Sequence, residues 1–90
     1  MLTKKFVQDW ITHYIRDQNT EQAVSSSDYI IMNTASEVTG VHFLTSVYVD
    51  RRLPGEIAVP IHAVDGAFAC DDQNLESAVN LPRHVTDECS

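Results

Sequence analysis

The side chains best suited to chemistry in this 90-residue chain are four histidines and two cysteines: His13, His42, His62, His84, Cys70 and Cys89. A zinc site takes roughly three or four such ligands, usually supplied in close pairs such as C-x2-C or H-x3-H. No pair here has that spacing, and His84 and Cys89 fall in a polar C-terminal stretch. His42 and His62 are the better pair, because strand alternation puts both on the outer face of neighbouring strands. Cys70 is the third group that a small enzyme or metal site would recruit. Asp71 and Asp72 follow it directly, and adjacent carboxylates raise a thiol's pKa and blunt its nucleophilicity. Ser25-Ser26-Ser27 lacks the G-x-S-x-G elbow of a hydrolase, and there is no phosphate-cradling G-x-x-x-x-G-K or G-x-G-x-x-G. The residue types therefore imply no cofactor, no metal and no catalytic residues. Acid–base work by Asp65, Asp71 and Asp72 is a weaker alternative, since acidic residues at turns and helix starts have structural reasons to be there.

Charge narrows the partners. The formal net charge is −7, with 13 acidic and 6 basic side chains. Residues 1–45 carry three basic and five acidic groups, and residues 46–90 three basic and eight acidic. Such a balance opposes direct nucleic-acid binding, whose affinity comes mainly from neutralised phosphates. It suits a partner protein with a basic surface, or solubility alone. The residues expected to meet a partner are an acidic edge of Asp65, Asp71, Asp72 and Glu76, and a rival hairpin tip of Arg51 and Arg52 with Tyr48 beside it. No apolar run has the length of a membrane span, and no apolar segment follows Lys4 and Lys5 as in a secretory signal. The expected compartment is the cytoplasm of the producing or host cell, with Cys70 and Cys89 reduced; a bridge between them is the alternative for an oxidising setting.

The elements that would hold these residues are legible in part. Leu2, Phe6, Val7, Trp10, Ile11, Tyr14 and Ile15 recur at helical spacing, which predicts an amphipathic helix from Thr3 to Gln18, with Thr3 as N-cap and Asn19 just past its end. Phe6, Trp10 and Tyr14 are expected in the core. Thr20 to Val24 could add one helical turn. Tyr29 to Asn33 favours a strand by its β-branched and aromatic content, with helix as the alternative, and Ser36 to Gly40 a turn. Val41 to Val49 and Glu56 to Val64 alternate apolar and polar residues around Asp50 to Gly55, which predicts an antiparallel hairpin with Val49 near Ile57 or Val59. Pro60 places the second run at a sheet edge or marks a bulge. Asp65-Gly66 should close it, Ala67 to Cys70 could be a fourth strand, and Gln73 to Asn80 a short helix ended by Pro82.

The expected fold is thus α+β: an N-terminal amphipathic helix on a three- or four-stranded antiparallel meander, with a short C-terminal helix. It forms a single domain over 1–82 and a frayed tail over 83–90. This order of elements resembles that of the double-stranded-RNA-binding domain. The resemblance stops at topology, because that family needs a basic start to its second helix and this chain has Asp71-Asp72-Gln73-Asn74. The function expected is a small acidic, non-catalytic interaction protein. It would be an adaptor or inhibitor of another protein, one with a basic, nucleic-acid-handling surface as in anti-defence, immunity or antitoxin proteins. The alternatives are an enzyme or metal domain using His42, His62 and Cys70, and a structural homodimer pairing through the sheet.

Overall fold

A computed structural model describes residues 2–50, 52, 57–68 and 84–87. Thr3 starts the first element: its Oγ1 accepts from the Phe6 N–H at 3.1 Å, and helix α1 runs over Lys4–Tyr14. Val7, Trp10 and Ile11 form its buried stripe. The helix stops four residues before the expected end. Ile15 takes an extended conformation (ψ 128°), and its N–H makes the last bond, to Ile11 O. Arg16 then folds back over the open C-terminus, donating to Thr12 O at 3.0 Å and His13 O at 3.0 Å, so a side chain satisfies carbonyls that the helix leaves unpaired. Phe6 is also not a core residue. It sits beside the buried stripe and is 47% exposed, while Trp10 is buried and Tyr14 half-buried against it, their ring centroids 5.9 Å apart.

Ile15–Asp17 is strand β1, which pairs antiparallel with β4, Val47–Val49, in the register Ile15↔Val49, Arg16↔Tyr48, Asp17↔Val47. Ile15 satisfies a helical stripe and a strand equally well, which is why periodicity alone extends the helix through it. Residues 18–24 form a turn rather than further helix. Asp17 Oδ1 accepts from the Asn19 N–H at 2.7 Å, Glu21 adopts φ 62°, and the chain returns so that Ala23 bridges Arg16. A short 3-10 helix, Ser26–Asp28, leads into the main sheet.

Among the described residues the main sheet has four strands in the order β2-β3-β5-β6: β2 Tyr29–Asn33, β3 Val38–Phe43, β5 Ile61–Ala67 and β6 His84–Asp87. β2 and β3 are the expected antiparallel pair, although the turn between them spans Thr34 to Glu37 and β3 begins earlier, at Val38. β3 and β5 are parallel, and so are β5 and β6. The sheet is therefore mixed, which departs from the expected meander and from the topology of the double-stranded-RNA-binding domain. Alternation is the same in either strand direction, so it does not distinguish a hairpin from a crossover. Two features decide it. Val47–Val49 turns away from β3 to pair with β1, and the return segment buries Ile57 and Val59 before β5 starts. Over 84–87 the chain forms a strand where the sequence suggests a frayed tail; four residues, two of them β-branched, are too few for periodicity to register.

Pro60 lies one residue before β5, and its carbonyl accepts the Val41 N–H at 3.0 Å. β5 is accordingly an interior strand rather than an edge. The bulge alternative agrees with a register shift just after it, from Val41↔Ile61 to His42↔Ala63 and Phe43↔Val64. The extra residue is His62, and the shift explains how Ile61 and Val64, of opposite parity, are both buried. Asp65-Gly66 does not end the strand. Gly66 lies within β5 at φ 148°, where a Cβ would meet Ser46 Oγ, Ser46 N at 2.9 Å and Ser46 Cα at 3.1 Å. This close approach joins β5 to β4. Ala67 N–H donates to Ser46 Oγ at 2.9 Å, and Gln18 Nε2 donates to Val47 O at 2.8 Å and Ala67 O at 3.1 Å.

The core is one cluster between α1, the β1–β4 pair and one face of the four-stranded sheet. It holds Val7, Trp10, Ile11, Ile15, Tyr29, Val41, Phe43, Val47, Ile57, Val59, Ile61 and Phe68 among others. The expected helix over 73–80, the Pro54-Gly55 turn, Cys70 and Cys89 lie outside the described residues.

Candidate functional site

With one face of the main sheet taken by the core, alternation sends the other set of side chains outward. In β2 these are Ile30 and Met32, 52% and 36% exposed, which pair in register with His42 and Gly40 of β3. Leu44, just beyond β3 and of the same parity as His42, is 40% exposed. On β5 the outward groups beside them are His62 and Asp65. The His62 Cβ lies 3.5 Å from where a Cβ on Gly40 would stand. His42 Nε2 donates to Asp65 Oδ1 at 2.8 Å, tying β3 to β5 across the bulge. The result is an apolar strip, Ile30, Met32 and Leu44, with one polar pair set against it.

The sequence reading of His42 and His62 as outer-face neighbours agrees with this placement. They do not form a ligand set. His42 is committed to Asp65, and among the described residues no three His, Cys, Asp or Glu side chains group closely enough to hold a metal ion. No described serine, threonine or cysteine stands on the His42–Asp65 pair in the way a nucleophile would. Of the expected acidic edge, Asp65 alone is described, and its Oδ1 faces His42; Asp71, Asp72 and Glu76 lie outside the described residues, as does Arg51.

Tyr48 and Arg52 belong to a different part of the molecule. Tyr48 is half-buried in β4 opposite Arg16. Arg52 is exposed, but its guanidinium grips Asp50: Nε donates to Oδ1 at 3.1 Å and NH2 to Oδ2 at 3.0 Å, and its backbone N–H donates to Oδ1 at 2.8 Å. Arg16 reaches the same carboxylate at 3.2 Å. The Arg52 side-chain bonds, then its backbone N–H, hold the Asp50 carboxyl down at about 2 against burial, which opposes them. This cluster pins the end of β4 to the end of α1, where Asp50 N–H also donates to Tyr14 O at 2.7 Å. Its charges are used locally.

No family model, curated protein or solved structure matches the chain.

The residues that sequence reasoning passed over are Ile30 and Met32. The signal was present. Once 29–33 and 38–43 are taken as an antiparallel pair, the parity that sends His42 outward sends Ile30 and Met32 with it. Phe6, Trp10, His13 and Tyr14 line a shallow open groove on α1 with Asp9, whose backbone carbonyl approaches His13 Nδ1 at 2.7 Å. The groove gathers no converging catalytic groups. Among the described residues no helix is long and apolar enough to cross a membrane.

Proposed function

We propose that the protein is a non-catalytic interaction module that binds another protein through the outer face of its four-stranded sheet. The observation that carries this reading is the exposed strip of Ile30, Met32 and Leu44 beside the His42–Asp65 pair. A contiguous exposed apolar patch rimmed by polar groups is a feature of protein-interaction sites. The partner would present an apolar patch with a basic side chain beside it. Among the described residues Asp65 Oδ1 accepts from His42 and Oδ2 accepts nothing, which leaves one carboxylate oxygen to receive a cation. The acidity of the whole chain supports the same sign of partner, because long-range attraction would speed encounter with a basic surface. An inhibitor or adaptor acting by occupation needs nothing more.

A photo-crosslinking side chain at position 30, compared with one at Gln8 on the exposed face of α1, tests this in the producing cell. A defined adduct from position 30, lost when Leu44→Lys is added and missing from position 8, is the expected result. Equal adducts from both positions, or none from position 30, would refute the reading.

A further inference from the structure

Among the described residues β2 is an outermost strand, and the direction of its outward backbone groups follows from three bonds. Leu44 N–H donates to Asp28 O at 2.8 Å, so 28 and 44 form a bonded pair at the start of the β2–β3 ladder. Antiparallel ladders alternate bonded and non-bonded pairs, so Ile30↔His42 and Met32↔Gly40 are bonded, while Tyr29↔Phe43 and Ile31↔Val41 are not. The Val41 N–H accordingly points the other way, to Pro60 O on the β5 side, and Thr39 Oγ1 donates to Met32 O on the β3 side. The N–H and C=O groups of Tyr29 and Ile31 therefore point away from the sheet, along its open edge. Among the described residues no hydrogen bond ends on them.

Natural sheets block such an edge with proline, lysine, an inward charge or a short, twisted strand. β2 has none of these residues: Tyr29-Ile30-Ile31-Met32-Asn33 is uncharged, in a chain of net charge −7. It also fits itself. Laid antiparallel on a two-fold axis through Ile31, each copy's Ile31 exchanges both bonds with the other, Tyr29 faces Asn33, and Ile30 faces Met32. On the outer face, the two Ile30–Met32 contacts would cover side chains that are exposed in the single chain.

We propose that β2 is a self-pairing edge, and that two copies join there into one continuous eight-stranded sheet. This goes beyond the partner-binding reading: its hydrogen bonds run along the strand edge, and of the exposed strip only Ile30 and Met32 meet across the seam. It carries its own sign: two copies of an acidic chain repel, so added salt strengthens the pairing, whereas it weakens a contact between an acidic surface and a basic partner.

The full chain is taken through a concentration series with two readouts, native mass and residue-resolved amide exchange. Mass should rise from one chain to two, and at a lower concentration in 0.5 M than in roughly 0.05 M sodium chloride. The Tyr29 and Ile31 amides, fast in dilute solution, should slow with dimerisation, while those of Ile30 and Met32 are slow throughout. Ile30→Lys sets a charge at the seam, and Ile31→Pro removes the central donor without touching the β2–β3 ladder; each should raise the dimerisation midpoint at least about tenfold. Leu44→Lys, outside the seam, should leave it unchanged, which separates this proposal from the partner-binding one. Single-chain mass up to millimolar concentration, or a dimer in which the Tyr29 and Ile31 amides stay fast, would overturn it.

Discussion

Gly66→Ala is the substitution that probes the packing behind the sheet face most sharply. Gly66 has φ 148°, a region that costs a residue with a Cβ about 1–3 kcal/mol. The added methyl would also stand 2.9 Å from Ser46 N and 3.1 Å from Ser46 Cα, both backbone, so it could not be relieved by turning a side chain. Overpacking of that kind adds roughly 1–3 kcal/mol. Moving Ser46 away would stretch the 2.9 Å bond from Ala67 N–H to Ser46 Oγ and disturb the carbonyls of Val47 and Ala67 that Gln18 holds. The combined effect should be about 3–4 kcal/mol, a large fraction of what a small domain has. Urea unfolding followed by the fluorescence of Trp10, the only tryptophan, measures it. Ser46→Gly in the same chain should recover little, because the backbone clash remains. A loss below about 0.5 kcal/mol for Gly66→Ala, the range of an ordinary surface change, would refute the β4–β5 contact.

Further outcomes follow from the core and the charged cluster. Trp10→Ala should cost about 3–5 kcal/mol, while Phe6→Ala, at a position 47% exposed, should stay within about 0.5 kcal/mol; urea midpoints compare the two, with the Phe6 variant read by Trp10 emission and the Trp10 variant by circular dichroism. Asp50 titrates near 2 in the folded chain against 3.8 when unperturbed, so its contribution is complete above about 4 and is lost as pH falls through 2. The shift alone would give a ceiling of about 2.5 kcal/mol, but the Arg52 side chain that causes most of it is 75% exposed, and screening brings the expected effect to about 1 kcal/mol. Asp50→Asn should abolish that part of the acid dependence, measured as stability between pH 5 and about 2. Added zinc should leave the melting temperature unchanged, and a rise equivalent to more than about 2 kcal/mol that disappears in His42→Ala would overturn the reading of His42 as Asp65's partner.

The helix, its Thr3 cap and the 29–33 strand were legible because each depends on neighbours in sequence. Strand direction was not. Val41, Phe43, Ile61 and Val64 show the same alternation whether β5 runs with or against β3. The choice is made by contacts distant in sequence, Val47–Val49 with Ile15–Asp17 and Ser46 with Gly66. The helix end was missed for a related reason: Arg16 terminates it through carbonyls behind it and Asp50 ahead of it, and a composition pattern carries no sign of either. Of the candidate site, His42, His62 and Leu44 could be placed on the outer side from parity, whereas Asp65, of the opposite parity to His62, reaches that side only through the bulge. The His42–Asp65 bond could not, because it depends on the bulge at His62.

The proposed binding surface is the outer face of the β2-β3-β5 sheet. The most direct test is to titrate the partner recovered through position 30 into the isotope-labelled protein and map the amide shifts. Binding through that face should centre them on Ile30, Met32, His42, Leu44 and Asp65. Shifts centred instead on Lys5, Gln8, Asp9 and Thr12, along the exposed side of α1, would contradict it.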